Sequence, residues 1–345
     1  MRKSIKGCVK LYYFCIGLPA IIMQNKIFTI NSNKEFEQIA LETFKFQAKN
    51  CAVYTDFISF LKVDVNAVKS LADIPFLPIQ FFKTHKIIAN KNPIQQTFLS
   101  SGTGGIQSQH FVTDISVYEE SYRRGFEHFY GNIEDYTVLA LLPSYLERNG
   151  SSLIYMVDDL IKKSENSESG FFLKNTQKLT KIIKKSSKNN KKLLILGVSY
   201  ALLDLVESQQ FNLKNAIIME TGGMKGRRKE MIREELHQIL RDGFEVTKIH
   251  SEYGMTELLS QAYSEGNGVF KTPNWMKILV RDTEDALTLL PNGKTGGINV
   301  IDLANINSCS FIATQDLGKK LTEKTFEILG RFDNSDIRGC NLLIQ

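Results

Sequence analysis

Four stretches of the chain bring together side chains that can handle phosphate, ribose and a divalent cation. Ser100–Gly105 reads SSGTGG and follows the apolar run at 97–99. Its glycines let backbone N–H groups turn toward an anion. The hydroxyls of Ser100, Ser101 and Thr103 add donors, so Ser100, Ser101, Gly102, Thr103 and Gly105 suit phosphate oxygens. The loop is neither a Walker A motif nor GxGxxG, and taken alone it reads equally as a flexible turn. His250–Glu257 reads HSEYGMTE. Here Tyr253 can stack on a base, Thr256 can donate to a phosphate and Glu257 can hold Mg²⁺. A strand-to-helix turn with a capping threonine explains the same residues without chemistry. Thr314–Gly318, TQDLG, puts Asp316 in a turn after an apolar strand, where a carboxylate can accept from two ribose hydroxyls. Leu329–Cys340, LGRFDNSDIRGC, supplies Arg331, whose guanidinium fits phosphate or ribose, and a thiol at Cys340. His110 and His250 lie inside or beside these stretches and can orient a carboxylate or move a proton. His85, His128 and His237 read as structural or surface residues.

The elements around these stretches predict an α/β fold. Residues 33–47 place Phe36, Ile39, Ala40 and Phe44 at helical spacing, with Asn33 as the N-cap. The runs 137–143, 192–198 and 215–223 are continuous apolar stretches, as in strands buried on both faces of a parallel sheet. Residues 231–244 form an amphipathic pattern closed by Gly243. Strands alternating with helices predict layered, largely parallel sheets. From residue 275 the pattern changes to short strands separated by turns. The division expected is a doubtful extension over 1–22, an α/β core over 23–274, a smaller β-rich portion over 275–330 and a short tail over 331–345.

The chain has 345 residues, 43% of them hydrophobic and 23% charged, as in an ordinary globular protein. Its five cysteines, Cys8, Cys15, Cys51, Cys309 and Cys340, include no CxxC and no Cys/His cluster. That excludes a disulfide framework and a structural zinc site and predicts free thiols in a reducing, cytoplasmic setting. The net charge of +6 is local, because residues 162–192 alone hold ten lysines and two glutamates and leave the rest at −2. Leu179, Ile182 and Ile183 fall on one helical face there, so the stretch reads as a solvated surface helix rather than a nucleic-acid site. The apolar segment at 9–23 follows Arg2, Lys3 and Lys6, but Pro19 interrupts it and it is too short to span a bilayer. Residues 1–22 read as an upstream extension, with a signal or peripheral anchor second.

The order of the four stretches is more specific than any one of them. A Ser/Thr/Gly loop, then YGMTE, a strand-end Asp-Gly element and GRFD resemble the adenylate-forming superfamily of acyl-CoA synthetases, luciferases and peptide synthetases. The segments SGTGGIQSQHFVTD, METGGMKGRRKE, HSEYGMTELLSQAY and IDLANINSCSFIATQDLG are similar to one branch, the acyl-protein synthetase family of fatty-acid–luciferin-component ligases and their non-luminous relatives. The resemblance covers roughly residues 30–345 and implies the adenylate-forming N-terminal-domain fold. It implies that a fatty acid and Mg-ATP give an acyl-adenylate and pyrophosphate. The acyl group then passes to an enzyme cysteine and on to a partner, an acyl reductase or acyltransferase. By this likeness the loop holds the β/γ-phosphates, Gly222 and Gly223 line the adenine and acyl pocket, and Tyr253 packs on adenine. Thr256 touches the α-phosphate, Glu257 the Mg²⁺, Asp316 the ribose hydroxyls, and Arg331 ribose or phosphate.

The sequence departs from the superfamily pattern in two places. Gly104 replaces a loop threonine, and Gln107–His110 stand where a lysine is usual, so His110 is the substitute for that contact. The superfamily also continues past GRxD into a lid domain carrying a catalytic lysine, which is absent from these 345 residues. Cys340, nine residues beyond Arg331, is then the thiol best placed to take the acyl group. Two other readings stay open: an acid–CoA ligase resembling the phenylacetate type, and an adenylate-fold protein that binds acyl or nucleotide ligands without turnover.

Overall fold

The computed structural model describes residues 24–101, 105–144, 147–148, 150–186, 191–222, 228–229 and 231–332. The helix Asn33–Asn50 buries Phe36, Ile39, Ala40 and Phe44, the stripe its spacing predicts. Its N-cap is Ser32 rather than Asn33. The Ser32 hydroxyl accepts the Glu35 N–H at 3.2 Å, a bond that a cap one residue later would forgo. Helix Ala52–Phe60 follows, turning Tyr54 and Ile58 inward.

The strands come in two groups. After the short β1 (Leu77–Pro78), β2 (Gln96–Leu99) and β3 (Gln109–Val112) make an antiparallel ribbon whose connecting loop carries SSGTGG. Then β4 (Tyr136–Leu141), β5 (Gly170–Phe171), β6 (Lys192–Gly197), β7 (Ile217–Thr221) and β8 (His250–Tyr253) alternate with helices. β4 is buried along its whole length, as its unbroken apolar run requires. The remaining strands are β9 (Ala262–Ser264), β10 (Val269–Lys271), β11 (Met276–Arg281), β12 (Thr295–Asp302), β13 (Phe311–Lys320) and β14 (Thr325–Arg331).

All but β2 and β3 join one sheet, ordered β11-β12-β13-β14-β10-β9-β8-β7-β6-β4-β5, with β1 beside β13. From β5 to β8 every neighbouring pair is parallel. From β8 to β11 every pair is antiparallel. The change of pattern therefore begins at β9, and hydrogen bonding runs through it without a break.

Gly243 does not close its helix. The helix Arg233–Phe244 ends at Glu245, which is left-handed at φ 54°. Gly243 instead faces helix Ser199–Ser208, where a Cβ would stand 2.4 Å from the Val206 Cβ. The lysine-rich stretch forms helix Thr176–Ser186, with Leu179, Ile182 and Ile183 buried as their spacing predicts. Cys51 and Cys309 are both free and buried. No helix among the described residues is long and apolar enough to cross a membrane.

Candidate active site

The parallel strands end at Leu141, Gly197, Thr221 and Tyr253 along one edge of the sheet, the edge where open α/β sheets bind ligands. Tyr253 ends β8, and its hydroxyl donates to Asp316 Oδ2 at 2.7 Å. Arg331, ending β14, donates from Nε to Asp316 Oδ1 at 2.9 Å. One buried carboxylate thus joins three of the four sequence stretches. Asp316 lies inside the ten-residue β13 rather than in a turn after it. The register slips between Leu317 and Gly318, and the Asp316 N–H bonds Thr314 Oγ1 at 3.1 Å. That irregularity sets where the aspartate points.

The fourth stretch enters through Glu257. Its side chain is 6% exposed and lies beside Ser108, at the foot of the SSGTGG loop. Burial raises its pKa above the ordinary carboxylate value, opposed by Ser108 and the positive field of Arg331. Ser100 is bound into the same base, accepting from the Ser108 N–H at 2.9 Å. Ser101 and Gly105 are exposed beside it. Gly222 follows β7 at φ 68°, exposed, its carbonyl accepting from Ser199 at 2.7 Å. Gly102, Thr103, Gly223 and Cys340 lie outside the described residues.

Tyr253 is 9% exposed, with Phe270 and Phe326 edge-on at 5.9 and 5.7 Å. Burial and the adjacent aspartate keep its phenol protonated, so it serves as a donor. The Arg331 guanidinium is held charged by Asp316, yet its side chain is 75% exposed. An ion pair that open contributes ~0–1 kcal/mol, so its worth is in position rather than stability.

The two histidines do not take the places expected of them. His110 is 1% exposed, with Nδ1 3.0 Å from the Thr256 carbonyl and Nε2 3.0 Å from Ser308 Oγ. Both nitrogens are spent inside the protein, and burial lowers its pKa to about 4, so it is a neutral clamp and not a phosphate ligand. His250 begins β8, at the far end of the strand from Tyr253, and bonds Tyr130. Both corrections have one cause: alternation and strand length put these side chains inside the fold or at the wrong edge.

Sequence reasoning missed the residues that hold the YGMTE turn. Asp302 Oδ2 accepts the N–H groups of Leu259 and Ser260, each at 2.9 Å, while Oδ1 accepts the Ser260 hydroxyl at 2.6 Å. Asn305 donates to the Glu257 carbonyl at 2.7 Å. Gln47, on helix Asn33–Asn50, donates to the carbonyls of Asn305 and Ile306 and accepts from the Ser310 N–H. The signal available was IDLANINS, polar residues packed into an apolar strand end. Glu252 was missed too. It is buried, accepts from Thr221 at 2.5 Å and has its pKa pushed up to about 7 by burial and by Glu220 nearby. A Cβ on Gly254 would come within 2.4 Å of its Oε1.

The acyl-protein synthetase (LuxE) family model matches residues 21–135 and 148–345. The chain belongs to this family. A curated relative, the long-chain-fatty-acid–luciferin-component ligase of Photorhabdus luminescens, is 36% identical over 74 residues, 21% of this chain and 63% of that protein. Among solved structures, ATP-bound MatB from Rhodopseudomonas palustris aligns with a TM-score of 0.52 at 17% identity, over 70% of this chain and 50% of that one. A 2-hydroxyisobutyryl-CoA ligase in complex with 2-HIB-AMP and CoA aligns with a TM-score of 0.62 at 13% identity, over 88% of this chain and 72% of that one. These likenesses show the adenylate-forming fold. The chain spans about half the length of MatB and less than two thirds of the curated ligase.

The site's charge suits a nucleotide that brings its own cation. Glu257 and Asp316 face one guanidinium, and the described residues hold no cluster of three metal-ligating side chains. Mg²⁺ needs no such cluster, since one or two carboxylates and substrate phosphates suffice.

Proposed function

We propose that the protein activates a carboxylic acid, a fatty acid in the first instance, with Mg-ATP and loads the acyl group onto its own cysteine. The observation that carries this reading is the Tyr253–Asp316–Arg331 cluster beside Glu257 and the base of the SSGTGG loop. Asp316, oriented by the phenol and guanidinium, accepts the ribose hydroxyls. The loop of Ser100, Ser101, Gly102, Thr103 and Gly105 takes the β/γ-phosphates, with Thr256 and Arg331 at the α-phosphate. The backbone of Gly222 and Gly223 and the open edge of Tyr253 bound the base. Glu257 would hold the Mg²⁺, which would neutralise phosphate charge. An oxygen of the substrate carboxylate bonds to the α-phosphorus, and the bond to pyrophosphate breaks.

The family name supports a protein thiol as acceptor. Phe332 is bonded to the Gln315 carbonyl at 2.8 Å, and Arg281 lies over its ring, so the chain passes the site at residue 332. Cys340 comes eight residues later, and eight extended residues span at most about 27 Å. The Cys340 thiolate attacks the acyl carbonyl, a thioester forms and AMP leaves with the anhydride electrons. An acyl reductase or acyltransferase then receives the acyl group. Acid-dependent exchange of labelled pyrophosphate into ATP tests the first half, and Glu257→Gln should lower it by about 10²-fold. Exchange at the wild-type rate in that variant contradicts the assignment. CoA as acceptor is the second reading, favoured by the fold shared with CoA ligases. It predicts CoA-dependent AMP release insensitive to Cys340→Ser.

A further inference from the structure

His250 is unused by the site above and lines a separate cavity of about 330 Å³. This cavity opens at the opposite edge of the parallel sheet, where β4, β7 and β8 begin. Three aromatic residues contribute to its mixed wall, Phe129 and Tyr130 at the end of helix Ile115–Tyr130 and Tyr136 at the start of β4. Two exposed lysines, Lys214 and Lys248, stand at its rim. The acid on the wall, Glu265, is shared with Lys271 at 3.2 Å.

The imidazole of His250 is 7% exposed, with Nδ1 3.2 Å from the Tyr130 hydroxyl. Burial and the charge of Lys248 keep the ring neutral against the opposing field of Glu265, its pKa lowered to about 4. In the tautomer in which the phenol donates to Nδ1, the ring hydrogen sits on Nε2. Among the described residues that nitrogen has no hydrogen-bond partner and is not sealed in, so it meets the cavity.

We propose that this cavity is a second ligand site, for a small aromatic anion. A flat ring packs against Phe129, Tyr130 and Tyr136, while the anionic group lies between Lys214, Lys248 and the Nε2–H of His250. Two ammonium groups and an N–H donor outnumber the one carboxylate, Glu265, and select negative charge. Aromatic walls select a flat apolar body. The volume is at the small end of ligand pockets, which limits the ligand to about one ring and its acid group. His250 and Tyr253 end a four-residue strand about 10 Å long, so this ligand and a nucleotide do not overlap.

The test uses benzoate as probe and the histidine ring nitrogens as reporters. In ¹⁵N-histidine-labelled full-length protein, the His250 signals are assigned by their loss in His250→Gln. Benzoate is expected to shift the His250 Nε2 signal saturably below about 10 mM. Lys214→Glu with Lys248→Glu, both on the surface, should weaken that binding at least tenfold. Inorganic phosphate and benzyl alcohol, each carrying half of the recognised chemistry, should also bind at least tenfold more weakly. The proposal is overturned if the His250 signals stay put at about 10 mM benzoate, which includes binding only at the acid site. It is equally overturned if the double charge reversal leaves the affinity unchanged, or if either half-probe binds as tightly as benzoate.

Discussion

At the residue scale, the site depends on a few buried oxygens whose partners fix their direction. Asp316 is the clearest, because Tyr253 and Arg331 occupy one oxygen each. Asp316→Asn keeps the shape but loses the charge and one acceptor. It should raise the KM for ATP about tenfold while leaving unfolding within ~1 kcal/mol of wild type. Steady-state kinetics with a parallel thermal melt checks both. Glu252 gives a stability prediction with a definite sign. Its native pKa of about 7 lies above the ordinary 4.5, so the folded protein binds that proton more tightly than the unfolded chain. Its contribution is therefore most favourable below about pH 4.5 and is lost as pH rises through about 7. Glu252→Gln should flatten that decline, gaining on the order of 3 kcal/mol at pH 8 relative to pH 5. Urea unfolding at the two pH values reads it.

At the element scale, the YGMTE turn has the position it has because other elements hold it. Helix Asn33–Asn50 fixes the 305–310 turn through Gln47, Asp302 and Asn305 fix residues 257–260, and His110 on β3 fixes the Thr256 carbonyl. Asp302→Ala would leave the buried N–H groups of Ser260 and Ala304 without an acceptor and take one partner each from the Leu259 N–H and the Ser260 hydroxyl, which costs about 3–5 kcal/mol. A chemical denaturation midpoint within error of wild type would contradict the clamp. Gly243→Val should likewise destabilise by more than about 2 kcal/mol, since even a Cβ lies 2.4 Å from Val206. The strands that carry the motifs were legible in the sequence, because Tyr136–Leu141 and Lys192–Gly197 are unbroken apolar runs with few other ways to be buried. Asp316, Arg331, Tyr253 and Glu257 were legible from motif order. What was not legible depended on pairing across long separations. His110 meets Thr256 across 146 residues and Gln47 meets Ser310 across 263, and no local pattern encodes such partners. Gly243 read as a cap because sequence alone does not tell a helix end from a helix contact.

At the scale of the whole molecule, one continuous sheet links the proposed nucleotide site to Phe332. β13 and β14 carry Asp316 and Arg331, and Phe332 follows at once. The acceptor thiol proposed at Cys340 follows Phe332 by eight residues in the sequence. The central claim is that activation and thiol capture occur on one chain, and intact-protein mass spectrometry tests it most directly. The full chain is incubated with Mg-ATP and a series of fatty acids, alongside Cys340→Ser. The account predicts a hydroxylamine-labile gain of one acyl group on the wild type and none on Cys340→Ser, with pyrophosphate exchange retained by both. An adduct that persists in Cys340→Ser, or AMP release that requires CoA and leaves no adduct on the wild type, would contradict it.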